Sequence, residues 1–409
     1  MEQSLPNLRH LYAFMEVADA GGISAAAHRV HLSQPAVTQA ISGLEKRLDT
    51  QLLDRRAEGM FPTSEGEVLL IRVQRLFALL AEGAARAVRL GGRREARADA
   101  SFHTRVTAAQ LRALIAIREA RNFSLAARNL GISQPSVHRA ARDLEKLSGL
   151  TLFTPSRKGI ELSPAAEAFA RAVKLAEAEL AQGFDELTRL KGRDATRISV
   201  GSMPLSRTEI LPQACDALLR EAAGVQLSFV DAPYNELLRE LRYGDLDVLI
   251  GALREPPPAE DVTQERLFDD TLAIMAGPQH PLAGRKGLSL ADTLAYPWIA
   301  PPKSTPAGSY LFRALGIGRM TETPVRVVTS SMVLVRGMLK RGDYVTILSP
   351  RQAAVEIAQG LMVPLDIPLP DSARPIGLTT RAGWMPTPTQ ARFLSLVRSA
   401  AARPNGIDL

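Results

Sequence analysis

Ser133 to Lys146 reads SQPSVHRAARDLEK, and Ser33 to Lys46, one hundred residues upstream, reads SQPAVTQAISGLEK. Both runs begin Ser-Gln-Pro, carry apolar residues at helical spacing and close on Leu-Glu-Lys. Nine residues before each, a Ser stands at the start of a short Ala-rich segment, ISAAAHRV from Ile23 and FSLAARNL from Phe123. A short helix, a tight turn and a second helix with proline just inside its start, where the missing N–H costs nothing, make a helix-turn-helix. The chain carries it twice, and about a third of positions 11–59 are identical to their counterparts at that offset.

Outward from the first copy, Leu8, Leu11, Phe14, Met15 and Ala18 make one apolar face of a preceding helix that Gly21-Gly22 ends. Ser24 is placed to cap the short helix. Ala26, Ala27, Val30, Val37, Ile41 and Leu44 supply a small core, which leaves Gln34, Thr38, Gln39 and Ser42 facing out. Gln pairs adenine in two places and Thr meets a thymine methyl, so this is a face suited to a DNA major groove. Leu52 to Pro62 suits a β-wing, with Arg55 and Arg56 on its flank and a turn at Glu58-Gly59. In the second copy Ala126, Ala127, Leu130, Ile132, Val137, Ala140, Ala141 and Leu144 reproduce the core. Its outer face is Gln134, His138, Arg139 and Arg142, with Arg157 and Lys158 at the wing tip where phosphates are met.

Each copy runs into a long amphipathic helix, 63–90 and 164–190. Val68, Leu69, Ile71, Val73, Leu76, Phe77, Leu79 and Leu80 are too many apolar groups for a solitary surface helix, so the first is expected to pair with its symmetry mate in a homodimer or larger homo-oligomer. Gly91 to Ala100, GGRREARADA, has the makeup of a charged linker. The division that follows is 1–63 for the first winged unit, 64–100 for helix and linker, 101–163 for the second unit, 164–195 for its helix, and 196–409 for the rest.

Charge agrees with that division. The chain has 50 Lys+Arg and 43 Asp+Glu, net +7; residues 1–195 hold 28 against 22, and residues 196–409 hold 22 against 21. The basic excess sits in the half that would meet phosphates. Composition is that of an ordinary globular protein, with 46% hydrophobic and 23% charged residues. The single cysteine, Cys215, excludes an internal disulfide and lies in the apolar stretch ILPQACDALL, where it reads as a small buried hydrophobe. No apolar run reaches the ~20 residues of a membrane span and the N-terminus lacks a signal peptide's apolar segment, so a cytoplasmic protein without membrane partners is expected.

From Arg197 strands alternate with helices. Strands are expected at 198–201, 225–230, 246–250, 272–276, 298–299, 325–328, 345–348 and 376–380, and helices at 205–221, 234–243, 309–315, 331–340, 350–359 and 387–401.

Residues 8–88 resemble the N-terminal part of LysR-type transcriptional regulators, through the small-residue helix, Ser-Gln-Pro-Ala-Val, Leu-Glu, the wing Leu52-Leu53-Asp54-Arg55 and the helix start Pro62-Thr63-Ser64-Glu65-Gly66. Residues 111–188 match again, with Leu152-Phe153 and Leu162-Ser163-Pro164-Ala165-Ala166; an ordinary member has one such head. The order of elements after Arg197 resembles the family's effector domain, a type 2 periplasmic-binding fold. The resemblance implies a multidomain chain: two winged helix-turn-helix units with long linker helices, then an α/β domain of two lobes, the second from about Phe268 to Leu348. It further implies DNA-binding transcription regulation controlled by a small-molecule effector, and it maps the effector cleft onto Ser202, Met203, Lys303, Thr305, Ser330, Ser331 and Leu348. Hydroxyls at helix starts suit a sugar, a sugar acid or an aromatic carboxylate, and each also suits a plain helix cap. A ligand-independent protein that bridges DNA sites with its two heads is the alternative.

Catalysis is not expected. The chain has no G-x-S-x-G elbow, no G-x-G-x-x-G after a strand, no phosphate-binding P-loop and no Cys/His cluster at metal spacing, so neither cofactor nor metal is anticipated. His28 and His31 read as surface histidines.

Overall fold

Asn7 opens the first helix, α1 (Leu8–Ala20), by accepting the Arg9 amide at 3.0 Å, and Gly21, in the left-handed region with φ 67°, ends it. The computed structural model describes residues 5–91, 98–157, 159–320 and 322–402. After α1 come α2 (Ile23–Arg29) and α3 (Gln34–Leu48), which bury Leu11, Phe14, Val17, Ala26, Val37 and Leu44 between them. Ser24 does not cap α2: Gly22 holds the cap position, and the Ser24 hydroxyl instead accepts the Gln34 side-chain amide at 3.1 Å, tying α2 to α3. The wing is an antiparallel hairpin of β1 (Leu53–Arg56) and β2 (Gly59–Pro62), with Leu53 opposite Pro62.

The second head repeats this with α5 (Ala108–Ala120), α6 (Phe123–Leu130), α7 (Gln134–Ser148), β3 (Phe153–Ser156) and β4 (Gly159–Leu162). Two anchors recur at the same offset. Glu45 Oε1 accepts the Leu52 and Leu53 amides at 2.8 and 3.3 Å, and Glu145 Oε1 accepts those of Leu152 and Phe153 at 2.9 and 3.0 Å. Gly59 and Gly159 sit at φ +144° and +120°, where a Cβ would come within 2.3 Å of the Gly21 and Arg121 carbonyl oxygens. Only glycine brings the wing this close to the end of the first helix. One expectation needs correction: Ile132 is 48% exposed rather than core. Ala100–Thr104 forms a 3-10 turn whose Phe102 is buried edge-on to Phe169, and residues 92–97 of the expected charged linker lie outside the described residues.

Between the heads lie α4 (Ser64–Gly91), capped by the Thr63 hydroxyl on the Gly66 amide, and α8 (Pro164–Leu190), capped by Ser163 on Ala166. Leu69, Val73, Leu76 and Leu80 are fully buried, each contributing about 1.5–3 kcal/mol. The expected symmetry mate is not what covers them: α4 packs along α8 of the same chain. Close approach is set by glycine, since a Cβ on Gly83 would lie 2.1 Å from that of Ala172, and one on Gly183 would lie 3.0 Å from Arg72 Cγ. Arg72, 1% exposed, bonds Glu179 at 2.8 Å, Gln182 at 2.9 Å and also Glu186, while the other Glu179 oxygen takes Arg75 at 2.8 Å. These elements form one compact unit, and nearly everything from Ile198 onward forms a second.

The second unit has two sheets. The first, in the order β6-β5-β7-β14-β8, comprises β5 (Arg197–Ser202), β6 (Gln226–Val230), β7 (Val248–Ala252), β8 (Val262–Asp270) and β14 (Arg374–Arg381), with β5 and β7 parallel and β14 antiparallel to both β7 and β8. Helices α9 (Ile210–Glu221), α10 (Tyr234–Tyr243) and α15 (Pro388–Ala402) belong with it, α9 and α15 packing on each other. The second sheet, β11-β10-β12-β9-β13, comprises β9 (Ala273–Ala276), β10 (Trp298–Ala300), β11 (Val325–Val328), β12 (Val345–Leu348) and β13 (Val363–Pro364). The short helices α11 (Leu290–Thr293), α12 (Pro306–Ser309), α13 (Met332–Leu339) and α14 (Ala354–Ala358) lie between these strands in the chain.

Strand β8, VTQERLFDD, is absent from the sequence expectation because an edge strand with much of its length exposed has no apolar run to mark it. It moves the lobe boundary, since Phe268 pairs with Ile376 in the first sheet, and β13 pairs with β9 in the second, well past Leu348. The expected helices at 205–221 and 309–315 are shorter: a 3-10 turn at Pro204–Arg207 precedes α9, and Tyr310–Ala314 is a π-helical turn after α12. Cys215 on α9 is half-buried, and burial pushes its thiol up to about 11, the inert end of thiol behaviour.

Candidate nucleic-acid interface and effector cleft

In the first head, α3 and the wing enclose a groove lined by Gln34, Thr38, Gln39, Arg55 and Arg56; Ser42 is exposed on α3 outside it. The Gln34 amide is held by Ser24, and the Thr38 hydroxyl donates back to the Gln34 carbonyl at 3.0 Å. Gln39 is therefore the amide in this groove with the most freedom to meet a base edge. Arg56 lies 5.4 Å over the Phe61 ring and 3.9 Å from Asp54.

In the second head Gln134, His138, Arg139 and Arg142 are exposed on α7 and Arg157 on the wing, while Lys158 lies outside the described residues. Gln134 accepts the Ser124 hydroxyl at 2.9 Å, and the His138 ring leans on Phe123 at 5.2 Å. Arg142 is held at 2.6 Å by Glu145, the carboxylate whose other oxygen anchors the wing. Arg139 makes no ion pair among the described residues. The anchoring role of Glu45 and Glu145 was missed from sequence, although the recurrence of Leu-Glu seven residues before each wing was the available signal.

The cleft between the two lobes of the second unit holds a cavity of about 110 Å³. Of the residues mapped there from sequence, Met203, Thr305, Ser330 and Leu348 line it. Gly251 makes room for the first of them, because a Cβ there would lie 2.3 Å from Met203 Cγ. Ser202, Lys303 and Ser331 are not among its lining residues. The buried Ser202 hydroxyl accepts Arg207 Nε at 3.0 Å; the Lys303 amine sits 4.8 Å over the Phe312 ring; Ser331 caps α13 through the Leu334 amide at 3.3 Å. Thr305 is likewise a cap, accepting the Gly308 amide at 3.1 Å and donating to the Pro302 carbonyl at 2.7 Å.

Three polar side chains of the cavity were not foreseen. Tyr234, first residue of α10, has a buried hydroxyl with no partner among the described residues, and burial pushes its pKa up, with Arg254 opposing. Arg254 stands 4.4 Å over the Tyr234 ring. Arg374 bonds Asp270 at 2.9 Å and keeps a buried, unpartnered Nε; Asp270 also accepts the Ser349 hydroxyl at 2.5 Å. Arg254 follows the carboxyl end of β7, where open α/β folds bind ligands, so its position was available to sequence reasoning. Aliphatic walls with a guanidinium, an unsatisfied phenol and hydroxyls converging from both lobes suit a small molecule with an apolar body and an anionic end.

Two family models match the chain. "LysR substrate binding domain" covers residues 191–402, and "Bacterial regulatory helix-turn-helix protein, lysR family" matches twice, at 8–67 and 108–167. The chain is 31% identical over 398 residues to the HTH-type transcriptional regulator GalR of Pseudomonas putida, covering 97% of this chain and 98% of that relative. It is 28% identical over 298 residues to the HTH-type transcriptional regulator PcaQ of Agrobacterium fabrum, covering 73% of this chain and 96% of PcaQ. The first alignment spans both heads, whereas the second leaves out a length close to one of them. Among solved structures, a full-length OxyR variant from Pseudomonas aeruginosa superposes with a TM-score of 0.50 at 21% identity, over 72% of this chain and 93% of that one. That likeness speaks for the fold. Among the described residues no helix is long and apolar enough to cross a membrane.

Proposed function

Because the chain belongs to the LysR family of DNA-binding transcription regulators, which carry a C-terminal effector-binding domain, we propose that its effector is a small single-ring carboxylate held in the cleft between the lobes. The observation that carries this reading is the buried, unpartnered hydroxyl of Tyr234, whose ring carries the Arg254 guanidinium, in a cavity walled on its apolar side by Met203, Leu205, Met332, Val335, Leu348 and Ile376. A buried hydroxyl without a partner costs about 1–3 kcal/mol, which a ligand oxygen would recover. A cavity of about 110 Å³ is of the order that holds one ring, since an apolar cavity of about 150 Å³ takes up benzene. A sugar acid fits the charge and the hydroxyls but not the aliphatic walls.

On the DNA side, Gln39 with Arg55 and Arg56 in the first head, and Arg139 with His138 and Arg157 in the second, are the groups proposed to meet bases and phosphates. A DNA target supports a cytoplasmic location, which is part of this reading. Any assembly of copies uses surfaces other than the buried α4 stripe, which α8 covers.

The test is a thermal-shift panel on the full chain with benzoate, hydroxybenzoates, glucarate and uncharged sugars. An aromatic acid at one hundred times its Kd should stabilise by ~2.7 kcal/mol. Arg254→Ala and Tyr234→Phe should each weaken that shift, and Tyr234→Phe should leave the unliganded protein at least as stable. A panel in which only sugars act, or in which neither substitution matters, overturns the proposal.

A further inference from the structure

The helices α4 and α8 are related by a local two-fold axis. Gly83 packs on Ala172 and Phe169, and Gly183 packs on Arg72 and Leu69. Moving every number by the repeat offset of one hundred exchanges the two sets, which is how a symmetric antiparallel pair behaves. Each head is continuous with its helix, so the same axis relates the heads. Two-fold related recognition helices are the arrangement that meets two half-sites of a duplex about one helical turn apart.

The occupants of the two ends differ. At one end the buried Arg72 bonds Glu179, Gln182 and Glu186; at the other the equivalent positions are Ala172, Leu79, Glu82 and Arg86. A seam of two α4 helices would bury Arg72 against Leu79 and Arg86, with one acid where it now has two. A seam of two α8 helices would leave Glu179 facing Ala172 with no cation. Both pairings between like helices strand buried charge, which is strongly unfavourable, so α4 selects α8. The Ala100–Thr104 turn packs back on α4 and its Phe102 lies 4.8 Å from Phe169 of α8, which favours the partner within the same chain.

We propose that one chain is a complete DNA-reading pair and that it recognises a non-palindromic site made of two unlike half-sites. This rests on both heads binding DNA. The half met by Thr38 and Gln39 of α3 favours A·T pairs, and the half met by Arg139 of α7 contains guanine, because glutamine pairs adenine and arginine pairs guanine O6 and N7. Nearly neutral and strongly basic heads fit unequal partners: residues 1–63 hold 6 Lys+Arg and 7 Asp+Glu, and residues 101–163 hold 10 and 4.

The experiment is selection of the full-length chain on random duplex DNA, followed by native mass spectrometry of the complex. The expected site has two dissimilar halves, one of them containing guanine, bound with one chain per pair of halves and at least about ten-fold tighter than either palindrome built from a single half. His138→Thr with Arg139→Gln, which gives α7 the first head's residues at those positions, should shift the second half toward the first and narrow that preference. A palindromic wild-type site, or two chains on each pair of halves, overturns the proposal while leaving DNA binding intact. Failure to enrich any duplex overturns the DNA reading of the heads and this proposal with it.

Discussion

Replacing Arg139 by Ala should weaken DNA binding far more than replacing Arg142, although the two lie three positions apart on the same helix face. Arg139 is exposed and makes no ion pair among the described residues, so it enters a groove with nothing to break first. If it pairs guanine, its loss costs about 1–3 kcal/mol, or roughly 5- to 150-fold in Kd. If it meets a phosphate, the slope of log K against log salt becomes shallower by ~0.9. Arg142 starts 2.6 Å from Glu145, in an exposed pair worth ~0.2–1 kcal/mol, so what it offers DNA is reduced by what it already holds. The assay is fluorescence anisotropy on the full chain with its selected duplex, over about 50 to 200 mM salt. Equal losses for the two variants, or an unchanged affinity and slope for Arg139→Ala, would refute the reasoning.

Glu145→Ala should cost about 1–3 kcal/mol and loosen the second wing, because the Leu152 and Phe153 amides lose their acceptor, whereas Glu145→Gln retains an oxygen and should cost less; denaturant melts with hydrogen exchange at those two amides would tell. Burial on α8 raises Glu177 to about 7 from 4.5, so the stability it contributes is present below pH 4.5 and is lost as the pH rises through about 7. Glu177→Gln should then match the parent at acid pH and exceed it above pH 7 by up to about 3 kcal/mol, and identical stability profiles with pH would contradict the shift. Gly83→Leu should destabilise by about 1–3 kcal/mol or more through overlap with Ala172, while Gly43→Ala, whose nearest neighbour is the His10 ring at 3.9 Å, should stabilise by about 0.5–1 kcal/mol; melting both variants side by side checks the contrast.

The heads were legible because a small helical unit leaves a dense record: apolar spacing, a cap and a wing glycine all lie within one local stretch. What sequence misassigned there was partner choice among near neighbours. Ser24 looks like a cap, but Gly22 holds that position and the serine bonds Gln34 instead, as Ser124 bonds Gln134 in the second head, where Asn122 is the cap. A hydroxyl's donor and acceptor give spacing arguments no means of ranking a cap against a neighbouring side chain. The cleft was less legible for a related reason. Its lobes are built by strands distant in the chain, so Arg374 on β14 and Tyr234 on α10 come together only through sheet order, and a polar edge strand such as β8 carries no periodic signal.

The partner of α4 marks the limit between the two cases. Leu69, Val73, Leu76 and Leu80 state that a cover is needed and are silent on which, since any apolar stripe satisfies them equally. The answer lies in the residues that break the stripe. Arg72 in the middle of an apolar face demands acids opposite, and the acids that fit, Glu179 and Glu186, stand where the first copy has Leu79 and Arg86. The divergence between the repeats is therefore the informative part: positions kept in both copies build each head, and positions changed in one decide that α4 pairs with α8. Charge placed asymmetrically on a symmetric seam converts a duplication into a heterodimer within one chain.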